Sequence, residues 1–333
     1  MSLSLQSFRT WGLLLPCAWS IAIPAATQRR PQVSEELPVL EAGRAGLQLQ
    51  LDSEQRAKME AALARKDYKS AEAVLVEEAD KEPKSVRAAS LLEFAGGVFF
   101  LDREYLKSAI AFKKAEAIAP MSERSRFTLA MAYIELGRPQ WAQPELVRLA
   151  ALKPSNALYL YWLARLDYDG HKYTEAVSKL QKVTALDPGM VRAHDLLGLC
   201  YDYLGDLDRA IASFERSVTL NRAQAKPSPW PPLDMAVSQV EIGRLNDAEN
   251  NLREAVRYDP RLPRAHYELG RVLDQEGKAE GAIQELKAAS AVDPNYPEPH
   301  YLLGRIYHRL GKDELAKSEV LQFQQLQTKK HWR

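Results

Sequence analysis

The chain has 333 residues, with 45 Lys and Arg against 44 Asp and Glu, so its net charge is close to zero. This balance gives no overall electrostatic attraction for nucleic acids or for anionic membranes. There are two cysteines, and Cys17 lies in a segment that we expect to be removed, which leaves Cys200 alone. The fold therefore does not depend on disulfide bonds.

Residues 1–26 are predicted to be a cleaved signal peptide. Arg9 precedes an uncharged run over residues 10–28 that is rich in Leu and Ile. Pro16 and Pro24 interrupt this run and make it a poor permanent membrane helix. An uncleaved N-terminal anchor is the alternative, and it would be the only membrane contact that the sequence predicts. We therefore expect an exported protein, either periplasmic or secreted.

Residues 27–51 are predicted to form a flexible linker. Pro31, Pro38, Gly43 and Gly46 break any helical or strand periodicity in this segment. The regular part of the chain begins only after it.

Between residues 52 and 328 the same residue types return about every 34 positions. A proline closes most of these units, including Pro120, Pro154 and Pro188. Such a period is typical of a solenoid, in which each repeat packs on its neighbours. The predicted units span residues 52–85, 89–122, 123–156, 157–190, 191–224, 229–262, 263–296 and 297–328.

The fifth unit shows most clearly how each repeat is built. Leu197 and Tyr201 lie one helical turn apart on a first helix. Ala210 and Phe214 have the same spacing on a second helix. Gly198 allows the two helices to cross closely, and Phe214 fills the space beyond the crossing. The spacing therefore predicts a pair of antiparallel helices.

These residues and offsets resemble the tetratricopeptide repeat family. The seventh unit matches in the same way, with Leu269, Gly270, Gly277, Ala282 and Pro294. The resemblance covers about five-sixths of the chain. It implies an all-α, right-handed superhelix of about eight helix-turn-helix repeats that binds other proteins without catalysing a reaction.

Several positions depart from the repeat pattern. In the first unit Lys58 stands where the family has leucine, and a polar outer helix is typical of an end cap. Three residues are inserted before the second unit and four before the sixth, where Trp230 lies in a proline-rich stretch over residues 227–232. This stretch is either a lengthened loop that restarts the stack or a protruding element whose Trp230 contacts a partner. In both cases it is a candidate flexible point.

The resemblance implies a concave groove lined by the first helix of each unit. A Tyr followed four residues later by an Arg recurs there in the fourth, seventh and eighth units. Because Tyr and Arg are common in binding hot spots, we predict that this groove captures a partner protein or an extended peptide of acidic character. The alternative is that the tyrosines pack between repeats and the arginines pair with Asp195, Asp202 or Asp274. The predicted groove residues are Tyr161, Arg165, Tyr168, Arg192, Asp195, Tyr267, Arg271, Asp274, Tyr301 and Arg305.

No sequence pattern typical of an enzyme is present: there is no Gly-rich phosphate loop, paired-histidine zinc motif or serine elbow. His194, His266 and His300 share one repeat position, where we expect packing rather than metal binding. The basic tail over residues 329–333 is too short to bind nucleic acid. We therefore expect no catalytic, cofactor or metal site, no nucleic-acid partner and no small-molecule substrate.

The sequence thus predicts a non-catalytic scaffold or adaptor exported by a bacterium, with cell-envelope assembly or secretion as its setting. The alternative hypothesis is an accessory or regulatory subunit of a partner enzyme, such as a glycan-processing or polysaccharide-export complex.

Overall fold

The computed structural model describes residues 49–331, with side chains described to residue 328. These residues form sixteen α-helices and no strand. The helices follow one another in pairs, one pair for each predicted unit. They are α1 Ser53–Ala64, α2 Tyr68–Lys81, α3 Val86–Leu101, α4 Tyr105–Glu116, α5 Glu123–Glu135, α6 Pro139–Leu152, α7 Ala157–Asp169, α8 Tyr173–Leu186, α9 Val191–Tyr203, α10 Leu207–Arg222, α11 Trp230–Glu241, α12 Leu245–Tyr258, α13 Pro263–Gln275, α14 Ala279–Val292, α15 Glu298–Arg309 and α16 Asp313–His331.

Each helix packs against the helix before it and the helix after it in the chain, and most first helices also touch the first helix of the next unit. The apolar core is therefore continuous along the stack rather than gathered at one centre. One cluster of buried residues runs through the last three units, from Leu233 to Ala316. The predicted all-α architecture of eight helix-turn-helix units is confirmed.

The turn between the two helices has the same backbone conformation in every unit. One residue in each turn has a positive φ, between 58° and 77°. The next residue then donates its amide to a carbonyl five residues back, as Asp206 does to Tyr201 at 2.9 Å, and this bond closes the first helix. The positive-φ residues are Lys66, Arg103, Gly137, His171, Gly205, Gly243, Gly277 and Gly311.

The two helices of a unit approach most closely where Gly198 faces Phe214. A Cβ added to Gly198 would lie 2.6 Å from the Phe214 ring, well inside van der Waals contact. The second unit has the same arrangement, with 2.9 Å between an added Cβ on Gly96 and the ring of Phe112. Three units instead combine alanine on the first helix with leucine on the second. These pairs are Ala130 with Leu146, Ala164 with Leu180, and Ala236 with Leu252.

The beginning of the described chain is packed, although it belongs to the predicted linker. Leu49 and Leu51 are both buried, and Arg56 Nη2 donates to the Leu51 carbonyl at 3.2 Å. Residues 1–48 lie outside the described residues, and with them the predicted signal peptide and most of the linker. None of the helices between residues 49 and 331 is long and apolar enough to cross a membrane.

Both ends of the stack differ from the units between them. Lys58 on α1 is exposed and pairs with Glu54 at 2.7 Å, as a polar outer helix requires. At the other end α16 continues through His331, so the helix includes the first three residues of the predicted basic tail.

The two predicted insertions are accommodated differently. The three residues before the second unit lengthen α3, whose N-cap Ser85 accepts a hydrogen bond from the amide of Ala88. The four residues before the sixth unit lie in the connection that follows α10. Trp230 is partly buried and opens α11, followed by two prolines in the first turn, which is the lengthened-loop arrangement.

The connection before the sixth unit is held by two contacts. The Asn221 side chain donates to the Ser228 carbonyl and accepts from the Ser228 amide, both at 2.8 Å. Arg222 at the end of α10 forms a two-pronged ion pair with Glu254 of α12. These contacts attach the sixth unit to the fifth.

The close helix crossing can be tested by replacing Gly198 with alanine. In an ordinary helix this change stabilises by about 0.5–1 kcal/mol, but here the added methyl group collides with Phe214, and such overpacking costs about 1–3 kcal/mol. We expect Gly198→Ala to lower the urea unfolding midpoint. The double variant Gly198→Ala/Phe214→Leu has the alanine–leucine combination of the third, fourth and sixth units, and it should recover stability. A single variant as stable as the wild type would contradict the proposed crossing.

Candidate functional site

The predicted groove residues lie at four recurring positions on the first helix of each unit, which we call the first-helix face. In the fifth unit these positions are Arg192, Asp195, Leu199 and Asp202. Side chains at equivalent positions differ widely in exposure along the stack. Residues at equivalent positions therefore have different roles in different units.

In the fourth unit the first-helix face is closed. Tyr161, Arg165 and Tyr168 are exposed by only 3%, 6% and 2%. Arg165 Nε lies 3.0 Å from Asp169 Oδ1, and the Arg192 guanidinium of the next unit lies 4.5 Å from the centre of the Tyr161 ring. Tyr161 thus packs against the next repeat, as in the alternative that the sequence left open, and Arg165 pairs with Asp169 of its own helix, an acid that the alternative did not name. A ligand would have little access to these three side chains.

Electrostatics in this closed part differ between the two arginines. Burial alone would lower the pKa of Arg165, but the Asp169 carboxylate raises it above its usual range. Burial lowers the pKa of Arg192 to about 10. Asp195 beside it is buried as well.

A cluster of aromatic rings joins the fourth and fifth units. The rings of Tyr173 and Tyr203 are stacked, with centres 4.7 Å apart and planes 5° from parallel. Tyr168 meets both rings edge-on, at 5.6 Å and 5.8 Å. Offset-stacked and edge-on ring pairs stabilise beyond simple burial. This cluster accounts for the burial of Tyr168.

In the seventh unit the first-helix face is half open. Tyr267 meets the ring of Tyr296 edge-on at 5.4 Å and remains partly exposed. Arg271 is partly exposed and donates from Nε to Glu268 Oε2 at 2.8 Å. Asp274 accepts from Arg309 of the eighth unit, so its carboxylate is paired between repeats.

In the eighth unit the face is open. Tyr301 is 50% exposed, and its ring leans on Phe323 of α16 with centres 5.3 Å apart. Arg305, one turn later, is also exposed and forms no ion pair among the described residues. Of the three predicted Tyr and Arg pairs, the one in the eighth unit has both side chains exposed, the one in the seventh has both partly buried, and the one in the fourth has both buried.

Of the three histidines that share a repeat position, His266 and His300 each contact a glutamate of the second helix, and His194 does not. His266 Nδ1 lies 2.7 Å from Glu285 Oε2, and its Nε2 lies 3.0 Å from the Pro260 carbonyl. Two acceptors are satisfied together only when both ring nitrogens carry protons. Accordingly the Glu285 hydrogen bond raises the pKa of His266. His194 lacks such a carboxylate, and burial lowers its pKa.

The His266 contact makes stability depend on pH. Because the pKa of His266 is raised in the folded chain, its stabilisation is complete below the ordinary pKa of about 6.5 and is lost as pH rises through the folded pKa. We expect His266→Gln to lower the melting temperature more at pH 5.5 than at pH 8.5. His194→Gln is the matched control, and because the pKa of His194 is shifted downward its pH dependence should have the opposite sign. An equal effect of His266→Gln at both values would contradict the charged contact.

Neither a reactive thiol nor a metal site is seen in the described part of the chain. Cys200 is fully buried, and burial raises its pKa to about 12, so the thiolate needed for nucleophilic chemistry is strongly disfavoured. Residues 49–328 contain no group of three or more His, Cys, Asp or Glu side chains placed to hold a metal ion.

Family models match the regular part of the chain in three places. Models described as tetratricopeptide repeat match residues 163–228 and 297–329, and a model described as TPR repeat matches residues 270–311. The matched residues lie within the part of the chain where the 34-residue repeat is seen in the sequence and the helix pairs are seen in the backbone. The chain is a tetratricopeptide repeat protein. A search of curated proteins gave no match.

Solved structures with the same fold include three at low sequence identity. PilW, described as a type IV pilus biogenesis factor, is 18% identical with a TM-score of 0.55, over 62% of this chain and 94% of PilW. PilF of Pseudomonas aeruginosa is 21% identical with a TM-score of 0.54, over 63% and 94%. A chain of the APC/C hetero-tetramer Cut9–Hcn1 is 18% identical with a TM-score of 0.58, over 72% and 48%. At such identities the likeness concerns the tetratricopeptide fold and not the partner.

The structure also contains a surface that sequence reasoning missed. The second helices α4 and α6 of this tetratricopeptide stack border a cavity of about 720 Å³, whose floor includes Tyr133 and Leu136. Its walls carry three large apolar side chains that are about half exposed, namely Leu106, Ile110 and Trp141. We call this surface the outer groove. The sequence does contain a signal for it, because these apolar residues occupy second-helix positions that are polar or small in most other units.

Proposed function

We propose that this tetratricopeptide repeat protein is a non-catalytic scaffold that binds a partner protein or an extended peptide on its first-helix face. The observation that carries the proposal is the open Tyr301 and Arg305 pair of the eighth unit. The fourth unit has the same residue types at the equivalent positions, Tyr161 and Arg165, but both side chains are buried by packing. Binding is therefore expected at the seventh and eighth units, with Tyr267 and Arg271 bordering the contact.

The chemistry of this open end suits a partner segment that carries carboxylates. Tyr301 offers a broad amphipathic ring with few rotatable bonds, and Phe323 supports the ring from below. The Arg305 guanidinium can donate two parallel hydrogen bonds to one carboxylate. Arg271 already forms an ion pair with Glu268. Arg305 is therefore the cation that is available to a partner.

The proposal can be tested with a displayed library of unstructured peptides selected on the purified chain. We expect the enriched peptides to be acidic and to bind with an affinity that the double variant Tyr301→Ala/Arg305→Ala weakens by about 2 kcal/mol or more. The melting temperature should hardly change, because both side chains are exposed. Fluorescence anisotropy and thermal unfolding measure the two effects.

The control is the equivalent change in the fourth unit, Tyr161→Ala. Removing a fully buried aromatic ring costs about 3–5 kcal/mol, so this variant should lose stability and, while it remains folded, keep its peptide affinity. Unchanged affinity in the eighth-unit variant would refute the proposed binding site. Recovery of one stoichiometric enzyme in a pulldown would instead support the accessory-subunit alternative.

We also propose that the protein is exported by a bacterium and works in cell-envelope assembly or secretion. The support is the apolar run after Arg9 with its flanking charges and prolines. Residues 1–48 fused to alkaline phosphatase, an enzyme that becomes active only outside the bacterial cytoplasm, should give an active fusion. The same fusion with Leu13 and Leu14 replaced by arginine is the control and should be inactive. An inactive parent fusion would count against export.

A further inference from the structure

The outer groove departs from the repeat at the positions where repeats normally face water. Leu106 occupies a second-helix position that is polar in every other unit. The residues there are Lys69, Gln140, Thr174, Asp208, Asn246, Glu280 and Glu314. Leu106 is nevertheless 59% exposed, so no neighbouring repeat uses its side chain for packing.

Ile110, one turn later on the same helix, repeats this exception. Its position otherwise holds the small or polar residues Ala73, Pro144, Ser178, Ala212, Asn250, Gln284 and Ser318. Trp141 faces these two side chains from α6, at a position where the fourth, fifth and sixth units have Glu175, Arg209 and Asp247.

The stack does not need these apolar side chains in order to form. The fourth unit has Thr174, Glu175 and Ser178 at these positions. It nevertheless forms the same helix pair and packs on both of its neighbours. The repeats thus provide an internal comparison, in which the interior is shared and only the outward residues differ. Clustered exposed apolar side chains beyond this structural need mark an interaction surface.

The groove has the shape and lining of a helix-binding site. Its volume is about 720 Å³. The Trp141 ring is held in place by the edge of the Tyr133 ring at 5.5 Å and by the Arg138 guanidinium at 5.7 Å. Two neighbouring helices with an apolar floor between them offer the groove into which an amphipathic helix lays its apolar face.

The charges around the groove decide which kind of helix would fit. Glu116 and Glu145 are the carboxylates of its two wall helices, and both are bound by Arg126. Lys113 also donates to Glu116, which holds the pKa of that carboxyl below its usual range. The two carboxylates beside the groove are therefore already neutralised by cations of the protein itself.

Two cations remain available. Lys114 lines the groove and is exposed, and Arg138 stands beside Trp141 and is exposed as well. Neither forms an ion pair with another of the described residues. A partner with carboxylates next to its apolar residues would complement both.

We propose that the outer groove docks an amphipathic helix of a partner protein, with large apolar side chains entering between α4 and α6 and carboxylates facing Lys114 and Arg138. The proposal deepens the scaffold function and rests on it, by adding a second partner site on the opposite helices of the repeat. The two sites can fail separately, since they share no residue.

The test uses a phage-displayed library of helical peptides selected on the purified full chain. We expect enriched sequences with large apolar residues at i, i+3 or i+4 and i+7 and with flanking Asp or Glu. A synthetic copy of the leading peptide should lose at least tenfold in affinity for the triple variant Leu106→Thr/Ile110→Ser/Trp141→Glu, measured by fluorescence anisotropy. This variant installs the residues of the fourth unit, so it should fold.

Two controls distinguish binding in the outer groove from non-specific apolar binding and from binding at the first-helix face. Leu152→Ser removes another exposed leucine, 65% exposed and outside the groove, and should leave affinity unchanged. Tyr301→Ala/Arg305→Ala should also leave it unchanged. Enrichment of basic peptides, equal binding to the triple variant, or no enrichment at all would overturn the proposal. A wild-type dimer that the triple variant converts to a monomer would overturn it too, since a second copy would then occupy the groove.

Discussion

The structure depends on the close crossing of the two helices within each unit. At this crossing a first-helix residue meets a second-helix residue, and in five of the eight units the two residues compensate in size. Glycine faces phenylalanine in the second and fifth units, and alanine faces leucine in the third, fourth and sixth. In these five units compensation between two positions preserves the spacing of the helix pair, whereas the seventh unit pairs Gly270 with Leu286. Stacking of such helix pairs produces the solenoid.

All units share the same pattern of buried residues. Differences in function must therefore come from the residues that face solvent. The first-helix face is closed by tyrosine packing and ion pairs in the fourth unit and open at the eighth. The second helices expose large apolar side chains between the second and third units, and again on α16 at Leu315, Val320 and Leu321, whereas they are mostly polar in the units between. The two open places lie near opposite ends of the repeat array and on different helices. A scaffold of this kind can hold two partners without competition between them.

The sequence predicted the helix pairs well because the period is encoded in residues that must be small or apolar wherever helices touch. It predicted exposure poorly, because exposure depends on neighbours that the period does not specify. Tyr161 and Tyr301 occupy the same repeat position, yet the first is 3% exposed and the second 50%. The difference arises from Arg192, which covers Tyr161 from the next unit.

The repeated turn has a consequence for how the stack opens. The last four units all place glycine at the left-handed position, whereas the first, second and fourth use Lys66, Arg103 and His171. A side chain in this conformation costs about 1–2 kcal/mol. Local unfolding in a linear array begins where the units are weakest and spreads to their neighbours. Because these three turns all lie in the first four units, this cost falls on the N-terminal half of the array, which includes the outer groove, and favours that half as the starting point of local unfolding.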